Sequence, residues 1–60
     1  MNVDKVLGAI KLRLSFGMFR AADLLLDQLY EAWENNEVIM TTQQSQYMVY
    51  LVMLRRQGNK

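Results

Sequence analysis

The sequence predicts an all-α fold, a helical hairpin followed by a C-terminal helix in one small domain. Three observations predict it. Apolar residues recur at helical spacing through three separate stretches. Residues suited to capping or to left-handed backbone, namely Asn2, Gly17, Asn35, Asn36, Thr41 and Gly58, fall at the ends of those stretches. Pro is absent, Gly occurs three times, and no Ser/Gly-rich or low-complexity segment divides the 60 residues.

The first helix is expected over about 3–15. Asn2 is a good N-cap, Asp4 stands in the first turn where the helix dipole favours an acid, and Val3, Val6, Leu7, Ile10 and Leu14 share a face. Residues 10–16, Ile-Lys-Leu-Arg-Leu-Ser-Phe, also alternate apolar and polar, the period of a half-buried strand. Leu, Lys and Arg are helix formers, which favours the helix.

Gly17 suits the left-handed turn that ends such a helix. A second helix over 18–35 follows from Met18, Ala22, Leu25, Leu26, Leu29 and Trp33, which form one apolar stripe. Because Leu14 to Met18 is an i, i+4 step, one long helix bent at Gly17 satisfies the same pattern as a hairpin. The run Gly17-Met18-Phe19-Arg20-Ala21-Ala22 resembles the turn of a tetratricopeptide hairpin, over six residues and once in the chain. That resemblance implies two antiparallel helices, with Gly in the turn, an aromatic under it and Ala at the close approach.

Asn35 and Asn36 end the second helix, since both tolerate left-handed geometry. Val38, Ile39 and Met40 form a short apolar link, expected to plug the open end of the hairpin. Thr41-Thr42-Gln43-Gln44 matches a capping box. The third helix is expected over about 42–57, with Arg55 and Arg56 at the negative end of its dipole and Gly58 as its cap.

That third helix is apolar on all sides. Tyr47, Tyr50, Leu51 and Leu54 make one stripe, and Met48, Val49, Val52 and Met53 make another. Val and Tyr also suit sheets, so a strand over 47–54 is the alternative. At 7.1 kDa, surface scaling gives about 4,100 Å² of accessible surface folded against about 10,300 Å² extended. If roughly 60% of the buried area is apolar, burial returns about 90 kcal/mol, and chain entropy at ~1.5 kcal/mol per residue removes about the same. The isolated chain balances near zero. With no Cys and no His, disulfides and the usual zinc ligands are absent, so self-association is the expected remedy. The expected product is a homodimer of twofold symmetry, with Tyr47, Met48, Tyr50, Leu51, Val52 and Leu54 at its interface.

Net charge is +1, too small for the overall field to name a partner. The acid at Asp4 and the cations Lys11 and Arg13 are unlike a secretory leader, and the lack of Cys fits a reducing compartment, so a cytoplasmic location is expected. The longest apolar run, Tyr47 to Leu54, is far short of the ~20 residues a membrane helix needs. Catalysis has little to work with: no His, no Cys, no phosphate-cradling glycine loop and no evident pocket to raise a carboxyl pKa. No enzyme activity, cofactor or metal is expected.

Asp23, Asp27, Glu31 and Glu34 follow one another at i, i+4, i+8 and i+11 along the second helix. Like charges at this spacing cost a helix a few tenths of a kcal/mol per pair, roughly. The row is therefore either a solvated face, eased by Arg20, or a face for a basic partner, with Tyr30 and Trp33 at its edge. Phe16, Phe19 and Leu12 fall off the main stripes and would cap the hairpin or reach a partner. The cations Lys5, Lys11, Arg13, Arg20, Arg55, Arg56 and Lys60 form no single stripe.

The reading that follows is a small regulatory or inhibitory protein of the accessory kind that bacteria, phages and plasmids encode. It would bind through contact, as a homodimer whose acidic second helix occludes a basic surface of a larger protein. One alternative is a dimeric nucleic-acid-binding regulator that aligns Arg55 and Arg56 against phosphates. Another is a structural subunit of a larger assembly.

Overall fold

The computed structural model describes residues 1–58, so Lys60 lies outside the described residues. It contains three helices and, among the described residues, no strand: α1 (Val3–Ser15), α2 (Phe19–Glu34) and α3 (Thr42–Gly58). The strand alternatives over 10–16 and 47–54 therefore give way to helices. Local propensity and one shared core agree there, whereas a strand would have had no partner with which to complete its backbone hydrogen bonds.

Four of the helix ends have an identifiable chemical cause. Asn2 caps α1, its side-chain oxygen accepting from the Lys5 N–H at 3.2 Å. At the other end Gly17 adopts φ 73°, and the Gly17 and Met18 N–H groups donate back to the Leu14 and Arg13 carbonyls at 3.1 and 2.8 Å. This is a Schellman turn, and it makes α1 and α2 a hairpin instead of one bent rod. The end of α2 repeats the device with Asn36 at φ 60°, its N–H donating to the Trp33 carbonyl at 3.1 Å and that of Glu37 to the Ala32 carbonyl at 2.8 Å. The helix is one residue shorter at each end than expected, because Met18 and Asn35 serve as its caps. The box at the start of α3 closes reciprocally: the Gln44 N–H donates to Thr41 Oγ1 at 3.1 Å, and the Thr41 N–H donates to Gln44 Oε1 at 2.9 Å.

Val3, Leu7 and Ile10 of α1, Ala22 and Leu29 of α2, and Met48 and Leu51 of α3 form the core, with Ile10, Leu29 and Leu51 fully enclosed. Of the link after α2, Val38 and Met40 pack onto this core and form the expected plug, while Ile39 is 90% exposed. A second tie fixes the far end of α3 against α1, where the Gln44 amide donates to Asp4 Oδ1 at 2.8 Å.

Two expectations need correction. Gly58 does not cap α3 but lies within it, and a Cβ there would stand 2.8 Å from Phe19 Cζ. Its missing side chain admits the Phe19 ring. Met48 and Leu51, expected at an interface between copies, are buried within the single chain, and Leu54 packs half-buried against the same core. The buried line of α3 takes one residue from each apolar stripe, because a helix against a hairpin buries the face pointing into the groove between its partners. Tyr47, Val49, Tyr50 and Met53 stay exposed, and Val52 is half-buried.

Candidate functional site

Of the three helix pairs, α2 and α3 touch least. They run antiparallel, and the space between them opens as a groove of about 480 Å³ lined by Asp23, Leu26, Asp27, Tyr30, Met48, Val52, Arg55 and Arg56. A second depression of about 330 Å³ continues it past Met48 to Trp33, Ser45, Gln46 and Val49. From Asp23 to Trp33 is ten residues, so the combined groove is about 15 Å long at ~1.5 Å per residue.

One end is closed by charge. The Arg55 guanidinium donates from Nε to Asp23 Oδ1 at 2.7 Å and from Nη2 to Oδ2 at 2.9 Å. It also lies 4.9 Å from the centroid of the Phe19 ring, which it covers. Hydrogen bonding to Asp23 raises the Arg55 pKa, partial loss of water opposes this, and the carboxylate charge adds to the rise. The other end is aromatic: Tyr30 and Trp33 meet edge to face with centroids 6.2 Å apart. Both rings remain substantially exposed, as do Val49 and Met53 on the opposing helix.

These contacts sort the residues expected to act. Asp23 is taken out of the acidic row, because its partner is Arg55, 32 residues away in sequence and a closer match than Arg20. Asp27 lines the groove, and Glu31 and Glu34 continue along the exposed side of α2. Among the described residues, Asp23 with Arg55 is the single ion pair, so Asp27, Glu31 and Glu34 hold no cation of their own chain within salt-bridge distance. Arg55 is committed to Asp23, which leaves Arg56 as the exposed member of the pair offered for phosphate contact. Tyr47 and Tyr50 stack on each other with centroids 5.9 Å apart, away from the groove-lining residues.

The groove and its closing ion pair escaped the sequence reading. Periodicity along one helix cannot report which residue of another helix stands opposite, so no local signal joins Asp23 to Arg55. Among the described residues no three His, Cys, Asp or Glu side chains gather to hold a metal ion, and no helix is long and apolar enough to cross a membrane. No protein-family model, characterised protein or solved structure matches this chain.

Proposed function

We propose that this is a non-catalytic protein that regulates or inhibits by contact, with the α2–α3 groove as a protein-binding surface. The observation that carries the reading is the exposed Tyr30–Trp33 pair beside an apolar floor. Large aromatics at the rim of a concave apolar surface are the usual energetic anchors of protein interfaces. Asp27, Glu31 and Glu34 along the same helix, which have no ion-pair partner among the described residues, add selectivity for a surface with cations. A chain acting this way occludes whatever its occupant would otherwise touch.

The nucleic-acid reading draws less support from the same geometry. With Arg55 held by Asp23, one guanidinium per chain remains at this place, and the groove floor beside it is apolar.

Photo-cross-linking in cells that naturally contain the protein tests the reading. A photoreactive residue in place of Val49, exposed beside the groove, is expected to give a discrete protein adduct, and one in place of Gly8, exposed on α1, none. Adducts from position 8 alone, or to nucleic acid, would remove the groove from consideration.

A further inference from the structure

We propose that the occupant of the α2–α3 groove is a second copy of this chain, paired about a twofold axis parallel to the two helices, so that α2 of each copy lies against α3 of the other. The inference rests on the groove being a protein-binding surface and names its partner.

Two features call for this occupant. The groove needs an apolar helix, because Tyr30, Trp33 and Val49 stand exposed along it, each by 38% or more. The occupant also needs a cation at the end where Asp27 stands without one among the described residues. The chain's own α3 has both: an unbroken apolar run from Tyr47 to Leu54, then Arg56, exposed and at the same end of the groove as Asp27. A stable pair would cover about 800 Å² of each chain.

Charge also chooses between the two ways of laying this face on itself. An axis across the helices sets α2 against α2, and the rows Asp27, Glu31 and Glu34 of the two copies then oppose each other. An axis along the helices sets each row against α3, whose groove-lining residues include Gln46, Val49 and Val52, with Arg56 of one copy beside Asp27 of the other. Only the second arrangement avoids like-charge opposition, and it gives two symmetry-related pairs. Among the α2 and α3 helices of the two copies it makes a four-helix arrangement in which each neighbour is antiparallel. Tyr47, Tyr50 and Leu51 would then lie off the interface, Val52 would stay in it, and Val49 would join it.

The test uses the full chain. Sedimentation and native mass spectrometry of the purified protein should show a dimer, with the emission of Trp33, the sole tryptophan, shifting to longer wavelength on dilution. Asp27→Lys and Arg56→Glu should each weaken the dimer by about tenfold or more, since each places like charges at both pairs. When the two variants are mixed, heterodimer should exceed its random share. One of its two contacts is then native and the other has both charges reversed, while repulsion within each chain is unrelieved. Val49→Asp, at a site exposed in the monomer, should keep the helical circular dichroism and lose the dimer. A chain that stays monomeric at millimolar concentration, or variants that mix at random, would overturn the pairing. If the chain is monomeric yet position 49 cross-links to another protein in cells, the groove stands as a binding surface and the self-pair falls. If position 49 captures nothing, both fall.

Discussion

Arg55 and Asp23 join by two parallel hydrogen bonds, 2.7 and 2.9 Å, with the Phe19 ring beneath the guanidinium. The last turns of α3 are thereby fixed to the first turns of α2, and one end of the groove is closed. A planar fork is required for this, and lysine does not supply it.

Arg55→Lys should therefore keep the charge and lose the second bond and the cover over Phe19. Hydrogen exchange at the end of α3 should quicken, and Asp23→Asn should do the same. Because the Arg55 pKa is raised, the guanidinium's contribution is complete below its ordinary value and is lost only as pH climbs through the raised one. No alkaline loss traceable to Arg55 is expected below that range. At about 1 M salt, where the screening length is ~3 Å, the wild type should move toward the variants. A salt response equal in all three proteins would argue against the pair.

Leu51 and Tyr50 adjoin in sequence but should respond to truncation by very different amounts. Leu51 is wholly buried and Tyr50 is 47% exposed. Leu51→Ala should cost about 2–5 kcal/mol, most of what a domain of this size holds at roughly 0.05–0.15 kcal/mol per residue. Tyr50→Ala loses only the stack with Tyr47, about 1 kcal/mol. Urea titration followed by circular dichroism would separate them, and similar midpoints would contradict the burial described.

Gly17 and Asn36 do the same work at the ends of α1 and α2, with different ease. No heavy atom would meet a Cβ at Gly17 within 4 Å, so the penalty of Gly17→Ala comes from its φ of 73° alone, about 1–2 kcal/mol. Asn36→Gly should instead stabilise, by less than about 1 kcal/mol, through relief at φ 60°. Thermal melts should shift in opposite directions.

Thr41 and Gln44 share a capping box, but Gln44 also reaches Asp4 on α1. Thr41→Ala should cost about 1 kcal/mol, Thr41→Ser much less. Gln44→Ala should cost more than Thr41→Ala, and the excess should vanish in an Asp4→Ala background. A double-mutant cycle measures that coupling, and a value of zero would remove the tie between α1 and α3.

The caps were legible in the sequence because each is a short-range bond: Asn2 to Lys5, Thr41 to Gln44, and the left-handed turns at Gly17 and Asn36. The α2 stripe was legible for a similar reason, since one face of one helix carries it. The acidic row was legible as a row but not as a site. What separates Asp23 from Asp27 is a guanidinium on another helix.

The sequence by itself determined three stretches of helical periodicity, the caps at Asn2, Gly17, Asn36 and Thr41, and a third stretch with more apolar surface than one core face can use. Only the tertiary structure decided which part of that surface stays outside. Periodicity reports that residues share a face, but which face is buried depends on the direction from which the α1–α2 hairpin meets α3. That direction encloses Met48 and Leu51 and leaves Val49 beside an open groove. It also brings Asp23 and Arg55 together from 32 residues apart.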